Sequence, residues 1–319
     1  MAGFSNIIDR DAVDVLIPVQ QGAEIIVDLV DNFWLFDLGR RLPNLTSKTN
    51  KRPVLASLPE AYWVSGDTGL KQTTAAEWED KWIEAEEMAV VVPIPEAVFD
   101  DADYDIWGSM KPLLVDAFSH KITQSVLYGT EIPASMSTNM GAAGLVAFAT
   151  AAGSVASLAD FTDFYEAVEG ETADAAGDGV LALLAADGFR PTGHVADPSV
   201  GTLMRNCRDA NGQKIYPNDT EINGRAIQYP LDGTIDPTEA LLISGQWNHL
   251  VYAIRQDMTY TIANQGVITD AAGKVVHNLW QQDMIGMRVV MRLGFALPNP
   301  INRMEETEDD RSPFAILTA

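Results

Sequence analysis

Asp101, Asp103 and Asp105 alternate along the chain as the first carboxylates of a calcium loop do. Such a loop needs glycine at its sixth position for the sharp turn and a bidentate acid at its twelfth. Counted from Asp101, those positions hold Ile106 and Pro112, so the match fails. With Asp100, the three acids instead crowd the start of a helical pattern, where carboxylates complement the free N–H groups. His120, His194, His249 and His277 are scattered, with no second ligand at a metal-binding spacing. Cys207 is the single cysteine, which excludes an internal disulfide framework and a multi-cysteine zinc site. It reads as a small buried residue rather than a nucleophile. No nucleophile elbow, P-loop or dinucleotide-binding glycine pattern occurs. Asn44-Leu45-Thr46 and Asn218-Asp219-Thr220 are glycosylation sequons in form only, without a secretory signal before them. The expectation is no catalytic residue, no metal and no cofactor.

What stands out is charge and tryptophan. The chain has 319 residues, with 45 acids against 21 bases and a net charge of −24. Such a surface repels nucleic acid and anionic lipid at long range unless basic residues are gathered locally, which argues against a dedicated DNA-binding domain. The longest uncharged stretch, Ile132 to Ala159, is dominated by Ala, Gly, Ser and Thr, a poor membrane span. Charge is also segregated. Asp11 to Asp37 holds six acids and no base, whereas Arg40, Arg41, Lys48, Lys51 and Arg52 form a basic block with no acid. From Glu77 to Asp105, eleven acids face only Lys81. Alternating blocks usually mark solvated faces, and they also suit head-to-tail contact between copies.

These residues need elements to hold them. The segment Arg52 to Val92 predicts an extended hairpin, with Ala61 to Val64 strand-like and Ser65 to Gly69 turning. Beyond the turn, Trp78 and Trp82 share one strand face while Glu77, Glu79 and Lys81 share the other. A two-stranded ribbon has no core in which to bury tryptophans, so they pack on their own domain or on a neighbouring subunit. Pro93 and Pro95 are expected to end the strand. A helix from Tyr104 to Tyr128 follows, about 37 Å long at 1.5 Å per residue. Met110, Leu114, Phe118, Ile122 and Val126 make its ridge, Pro112 is placed to kink it, and Gly129 to stop it.

The Ala- and Gly-rich middle predicts a separate α/β lobe, with helices near Leu158–Glu169, Gly179–Ala186 and Pro198–Arg208 and a turn at Asn211-Gly212. In the last third, even positions from Leu250 to Ile262 and odd positions from Ile285 to Leu297 are apolar, Gln256 excepted. Arg288 and Arg292 fall on the opposite face. This period of two predicts a long antiparallel pair.

Taken in order, these parts resemble the major capsid proteins of tailed bacteriophages with the Hong Kong ninety-seven fold, most closely those of phages of actinobacteria. The likeness rests on Ala61-Tyr62-Trp63-Val64, Ala76-Glu77-Trp78, Val91-Val92-Pro93-Ile94-Pro95-Glu96 and Asp105-Ile106-Trp107. It continues in Arg255-Gln256-Asp257, Gln281-Gln282-Asp283-Met284 and Arg288-Val289-Val290-Met291-Arg292. The resemblance implies an α+β fold with an N-terminal arm (1–50), an extended β-hairpin loop (51–92) and a long spine helix opening a peripheral domain (93–130). An α/β axial domain (131–242) and the remainder of the peripheral domain, with long antiparallel strands and the C-terminus (243–319), complete it. Because the numbering begins almost at the arm, a separate scaffolding protein is expected, or else a processed chain. Lys71, Lys81 and Asn278 do not match the family's covalent crosslink motif, and no crosslink is predicted.

The implied function is structural and not enzymatic: self-assembly through hexamers and pentamers into an icosahedral shell around packaged double-stranded DNA. The implied location is the virion capsid, and the host cytoplasm during assembly. Partners would be other copies of the chain, a scaffolding protein, a portal, a decoration protein and loosely held DNA, with no membrane. Two alternatives are an encapsulin-like compartment of the same fold and an intracellular carboxylate-dependent hydrolase. The assembly interface is expected to use Arg40, Arg41, Lys48, Lys51 and Arg52 with the hairpin residues Trp63, Trp78, Trp82, Glu77, Glu84, Glu86 and Glu87. The basic block of one copy would meet the Glu77–Glu87 stretch of the next.

Overall fold

The computed structural model describes residues 33–64, 69–101, 105–170 and 179–319. The first 32 residues of the expected arm, the turn residues Ser65 to Thr68, and Asp103 lie outside them. In chain order the first elements are α1 (Trp34–Leu38), β1 (Arg40–Arg41), β2 (Thr49–Ser57), β3 (Glu77–Glu84), β4 (Glu86–Pro95), α2 (Glu96–Asp101) and α3 (Ile106–Tyr128). The middle holds α4 (Ala134–Met140), α5 (Leu145–Ala151), β5 (Val155–Ser157), α6 (Phe164–Glu169), α7 (Val180–Ala186), β6 (Gly193–Ala196) and α8 (Pro198–Asn206). Then come β7 (Glu221–Ile222), β8 (Arg225–Gln228), β9 (Leu242–Gly245), β10 (Val251–Ala263), β11 (Val267–Thr269), β12 (Val275–Asn278), β13 (Met284–Ala296) and β14 (Phe314–Thr318).

The spine is α3 packed on a four-stranded sheet of order β1-β10-β13-β4. The helical ridge Leu114, Phe118, Ile122 and Val126 is buried against Met287, Val289, Met291, Leu293 and Phe295 of β13. Both rows were legible as periods, 3.6 on the helix and two on the strand. Gly129 stops the helix at φ 69°, its N–H donating to the Ser125 carbonyl at 3.0 Å. A Cβ there would lie 2.2 Å from the Ala143 carbonyl oxygen, so glycine is required twice over. Pro112 lies inside the helix on its exposed side, and α3 runs through it.

Two expectations are corrected and one is narrowed. Of the two prolines expected to end the strand, Pro95 is the last residue of β4, whereas Pro93 lies within it, paired opposite Gly286. β4 is the edge of its sheet, so a residue without an N–H costs no ladder bond on the outer side. Ala61 to Val64 is not a strand: β3 pairs with β2 instead, in register from Thr49↔Glu84 to Ser57↔Glu77, and no strand among the described residues pairs with 58–64. The even-numbered face of β10 is buried only at its start. Register shifts on either side of Gln256 carry the strand past the body, and Tyr260 and Ile262 are exposed.

A second sheet, β5-β14-β9-β6-β8-β7, has its own core of Phe164, Val168, Leu184, Val200 and Met204. The expected helices of the middle region are present as α6, α7 and α8. The C-terminal strand β14 inserts between β5 and β9, so this sheet draws on residues from both sides of position 242. The resulting fold is mixed α+β.

Candidate assembly surface

The ribbon of β2 and β3 rises from a small core of its own, made by Leu45, Ile83, Ala85, Val251, Ala253 and Ala296. Its base is fixed where β3 crosses β13: a Cβ on Gly294 would stand 2.2 Å from the Glu84 carbonyl oxygen. Glycine at 294 therefore allows two backbones to touch. The Ala85 N–H donates to the Lys48 carbonyl at 2.7 Å and closes the base. Side chains alternate above it. Ile83 points into the body at 2% exposure, while Trp78 and Trp82 point outward at 68% and 44%. Directly opposite them stand Leu55 and Lys51. The outer face thus sets two exposed tryptophans and Leu55 around the Lys51–Asp80 ion pair, aromatic and charged groups together as on an interaction surface.

The sequence-predicted residues sort into three groups. Some already have partners within the chain. Lys48 Nζ lies 3.4 Å from Glu86 Oε1, which also accepts from Ser135 Oγ at 2.7 Å. Lys51 pairs with Asp80 and sits 5.8 Å over the Trp82 ring, a cation–π contact. Arg292 Nε donates to Glu87 Oε2 at 2.7 Å. The basic and acidic blocks are therefore partly the facing strands of one ribbon. A second group is exposed without a carboxylate partner among the described residues. Arg40 and Arg41 lie on β1, where Arg41 donates to Asn44 Oδ1 at 3.2 Å, and Arg52 stands opposite Lys81. The third group is ribbon surface. Glu77 is exposed, Glu84 is half-buried at the base, and Trp63 is fully exposed on the unpaired 58–64 segment.

Sequence reasoning missed the ties that hold the ribbon. Lys81 Nζ bonds Glu308 Oε1 at 2.7 Å across 227 residues, a separation at which no local pattern speaks. No cluster of three or more His, Cys, Asp or Glu that could hold a metal occurs among the described residues. An apolar recess lined by Met88, Ile122, Val126, Met136, Met140 and Phe295 lies between α3, α4 and the sheet. Asp187 is the carboxylate that burial pushes up among the described residues. It accepts from Ser154 Oγ and the Ser312 N–H, each at 3.0 Å, so it serves as a structural tie and not as an acid lining a pocket.

A family model described as the phage capsid family matches residues 13–302. No curated protein matches the chain. Solved structures do. One from Microbacterium phage Oxtober96 superposes with a TM-score of 0.79 at 26% identity, covering 98% of this chain and 99% of its own. One from Mycobacterium phage Adephagia gives 0.79 at 25% identity over 98% of each. At 15% identity, where fold alone is shared, the capsid of a native GTA particle matches with a TM-score of 0.65 over 99% of this chain.

Proposed function

The chain belongs to the phage capsid family, and from that membership we propose that it assembles through hexamers and pentamers into an icosahedral shell around packaged double-stranded DNA. It is a capsid shell protein of the tailed-phage type, most like those of phages of actinobacteria. The family and its fold are structural, which displaces the hydrolase reading. The observation that carries the finer proposal is the ribbon's outer face. Trp78 and Trp82 lie exposed on it, outside the small core at its base, and a neighbouring copy supplies a surface that repeats in every subunit.

In this reading residues 1–50 are the arm, 51–92 the extended loop, 93–130 and 243–319 the peripheral domain, and 131–242 the axial domain. The interface comprises Trp63, Trp78 and Trp82 with Glu77, Glu84, Glu86 and Glu87, and the basic block from Arg40 to Arg52. Arg40, Arg41 and Arg52, free of intrachain carboxylates among the described residues, are the members of that block best placed to pair with a neighbour. A portal, a separate scaffolding protein and a decoration protein are its proposed partners. The net charge of −24 per copy supports weak, non-specific contact with the enclosed genome. Assembly takes place in the host cytoplasm and ends in the virion. Sedimentation of the purified chain tests the proposal: hexamer- and pentamer-sized species and fast-sedimenting particles are expected, and persistent monomers across salt and scaffold conditions would refute it.

A further inference from the structure

Arg311 is 2% exposed, yet its guanidinium bonds main-chain carbonyls rather than carboxylates. Nη1 donates to the carbonyls of Glu305 at 2.9 Å, Glu306 at 3.2 Å and Thr307 at 3.4 Å. Nη2 donates to the Asn299 carbonyl at 2.9 Å and Nε to Asn299 Oδ1 at 3.3 Å. Asn299, itself at φ 39°, returns bonds from Nδ2 to the carbonyls of Arg311 at 3.0 Å and Glu308 at 3.3 Å. All of these acceptors belong to residues 299–311, a stretch with no helix or strand to satisfy them. A buried cation here folds a loop around itself.

That loop touches the ribbon on one side and the body on the other. Toward the ribbon, the Ile301 N–H donates to the Leu55 carbonyl at 3.3 Å, Arg303 Nη2 to the Pro59 carbonyl at 2.9 Å, and Lys81 to Glu308. Toward the body, Asn302 Nδ2 donates to the Asp187 carbonyl at 2.7 Å. Met304 packs so close to Gly188 that a Cβ there would lie 2.8 Å from its Cγ. We propose that residues 298–311 are a strap, pinned by Arg311, that fixes the angle at which the ribbon leaves the body. On the capsid reading, on which this last step rests, that angle selects the surface Trp78 and Trp82 meet on the next copy, and so the curvature of the shell.

The device needs arginine, because lysine offers three donors on a point charge and no planar fork. Hydrogen exchange on the smallest species obtained at purification tests the strap whether or not shells form. Arg311→Lys is expected to raise exchange in 49–57 and 77–84 about ten-fold, leaving 242–245 unchanged. Lys81→Met with Arg303→Met, which removes two ties without touching the core, is expected to raise it several-fold. If Arg311→Lys unfolds the chain, the double variant decides alone. Ribbon exchange equal to the parent in the double variant would overturn the strap. Faster exchange with particle diameters unchanged from the parent would keep the strap and overturn its role in curvature. Absence of particles from the parent across salt and scaffold conditions would refute the shell-assembly proposal and leave the exchange result standing.

Discussion

Trp78 and Trp82 separate two kinds of residue-scale stability in this chain. Both are exposed in the subunit, so Trp78→Ala or Trp82→Ala should leave subunit unfolding nearly unchanged. If they anchor a neighbour, each truncation costs about 2 kcal/mol per contact, a roughly 30-fold rise in the concentration needed to assemble. Light scattering against concentration measures this, and an unchanged threshold would remove them from the interface. Arg40 and Arg41 carry a smaller effect, about 0–1 kcal/mol per pair. Arg40→Glu with Arg41→Glu should weaken assembly at low salt and converge on the parent at high salt. Assembly unaffected at every salt concentration would mean the two arginines face solvent. His194 acts inside the subunit. It is fully buried on β6, bonded through Nδ1 to Ser244 Oγ at 2.8 Å, and burial pushes its imidazole from 6.5 down to about 4. Between those values the unfolded chain binds a proton that the folded chain refuses. Stability contributed by the neutral ring is therefore full above pH 6.5 and falls as pH drops toward 4, by about 3 kcal/mol at the limit. Urea midpoints of the parent and His194→Gln should converge across that window, and a parallel pH dependence would contradict it.

At the scale of elements, the sequence is legible wherever a pattern repeats locally. The ridge of α3, the odd face of β13, Gly129 as a stop and the alternation of Trp78 and Trp82 each rest on residues two to four apart, where side-chain periods speak directly. Features that depend on distant partners are not legible in this way. Pro93 reads as a strand end until β4 is placed at a sheet edge, where the strand runs on to Pro95. Ala61 to Val64 has strand-like residues but no pairing strand among the described residues, and composition alone does not supply one. The ribbon's true first strand, β2, carries Lys51 and Arg52 of the basic block, so some of the charge pattern that suggested contact between copies arises within one subunit. Lys51 with Asp80 across β2 and β3, and Lys48 with Glu86 at the ribbon's base, show it. The crossing at Gly294 belongs to the same class. Its need for glycine is invisible until the Glu84 carbonyl is placed 2.2 Å from where a Cβ would stand. Gly294→Ala should therefore push β3 off β13 and cost about 1–3 kcal/mol. Thermal unfolding with exchange across 77–84 reads it, and a variant equal to the parent in both would show that the crossing can relax.

At the scale of the whole molecule, the chain divides its apolar surface between two purposes. Three cores close within the subunit, one between α3 and the β1-β10-β13-β4 sheet, one on the β5-β14-β9-β6-β8-β7 sheet and a small one at the ribbon's base. The ribbon, the outer half of β10 and the β11–β12 hairpin extend beyond them, exposing Trp78, Trp82, Ile262, Val267 and Val275. Large apolar side chains on projecting two-stranded elements are a liability for a solitary protein and a requirement for one that closes a surface by repetition. The high negative charge limits indiscriminate association while leaving specific contacts to local exceptions. The most direct test is cryo-electron microscopy of particles assembled from the purified chain, at a resolution that places the ribbon. Closed shells with fivefold vertices, in which Trp78 and Trp82 are buried against an adjacent subunit, are expected. Closed shells with both tryptophans facing solvent, or no closed shells at all, would contradict this.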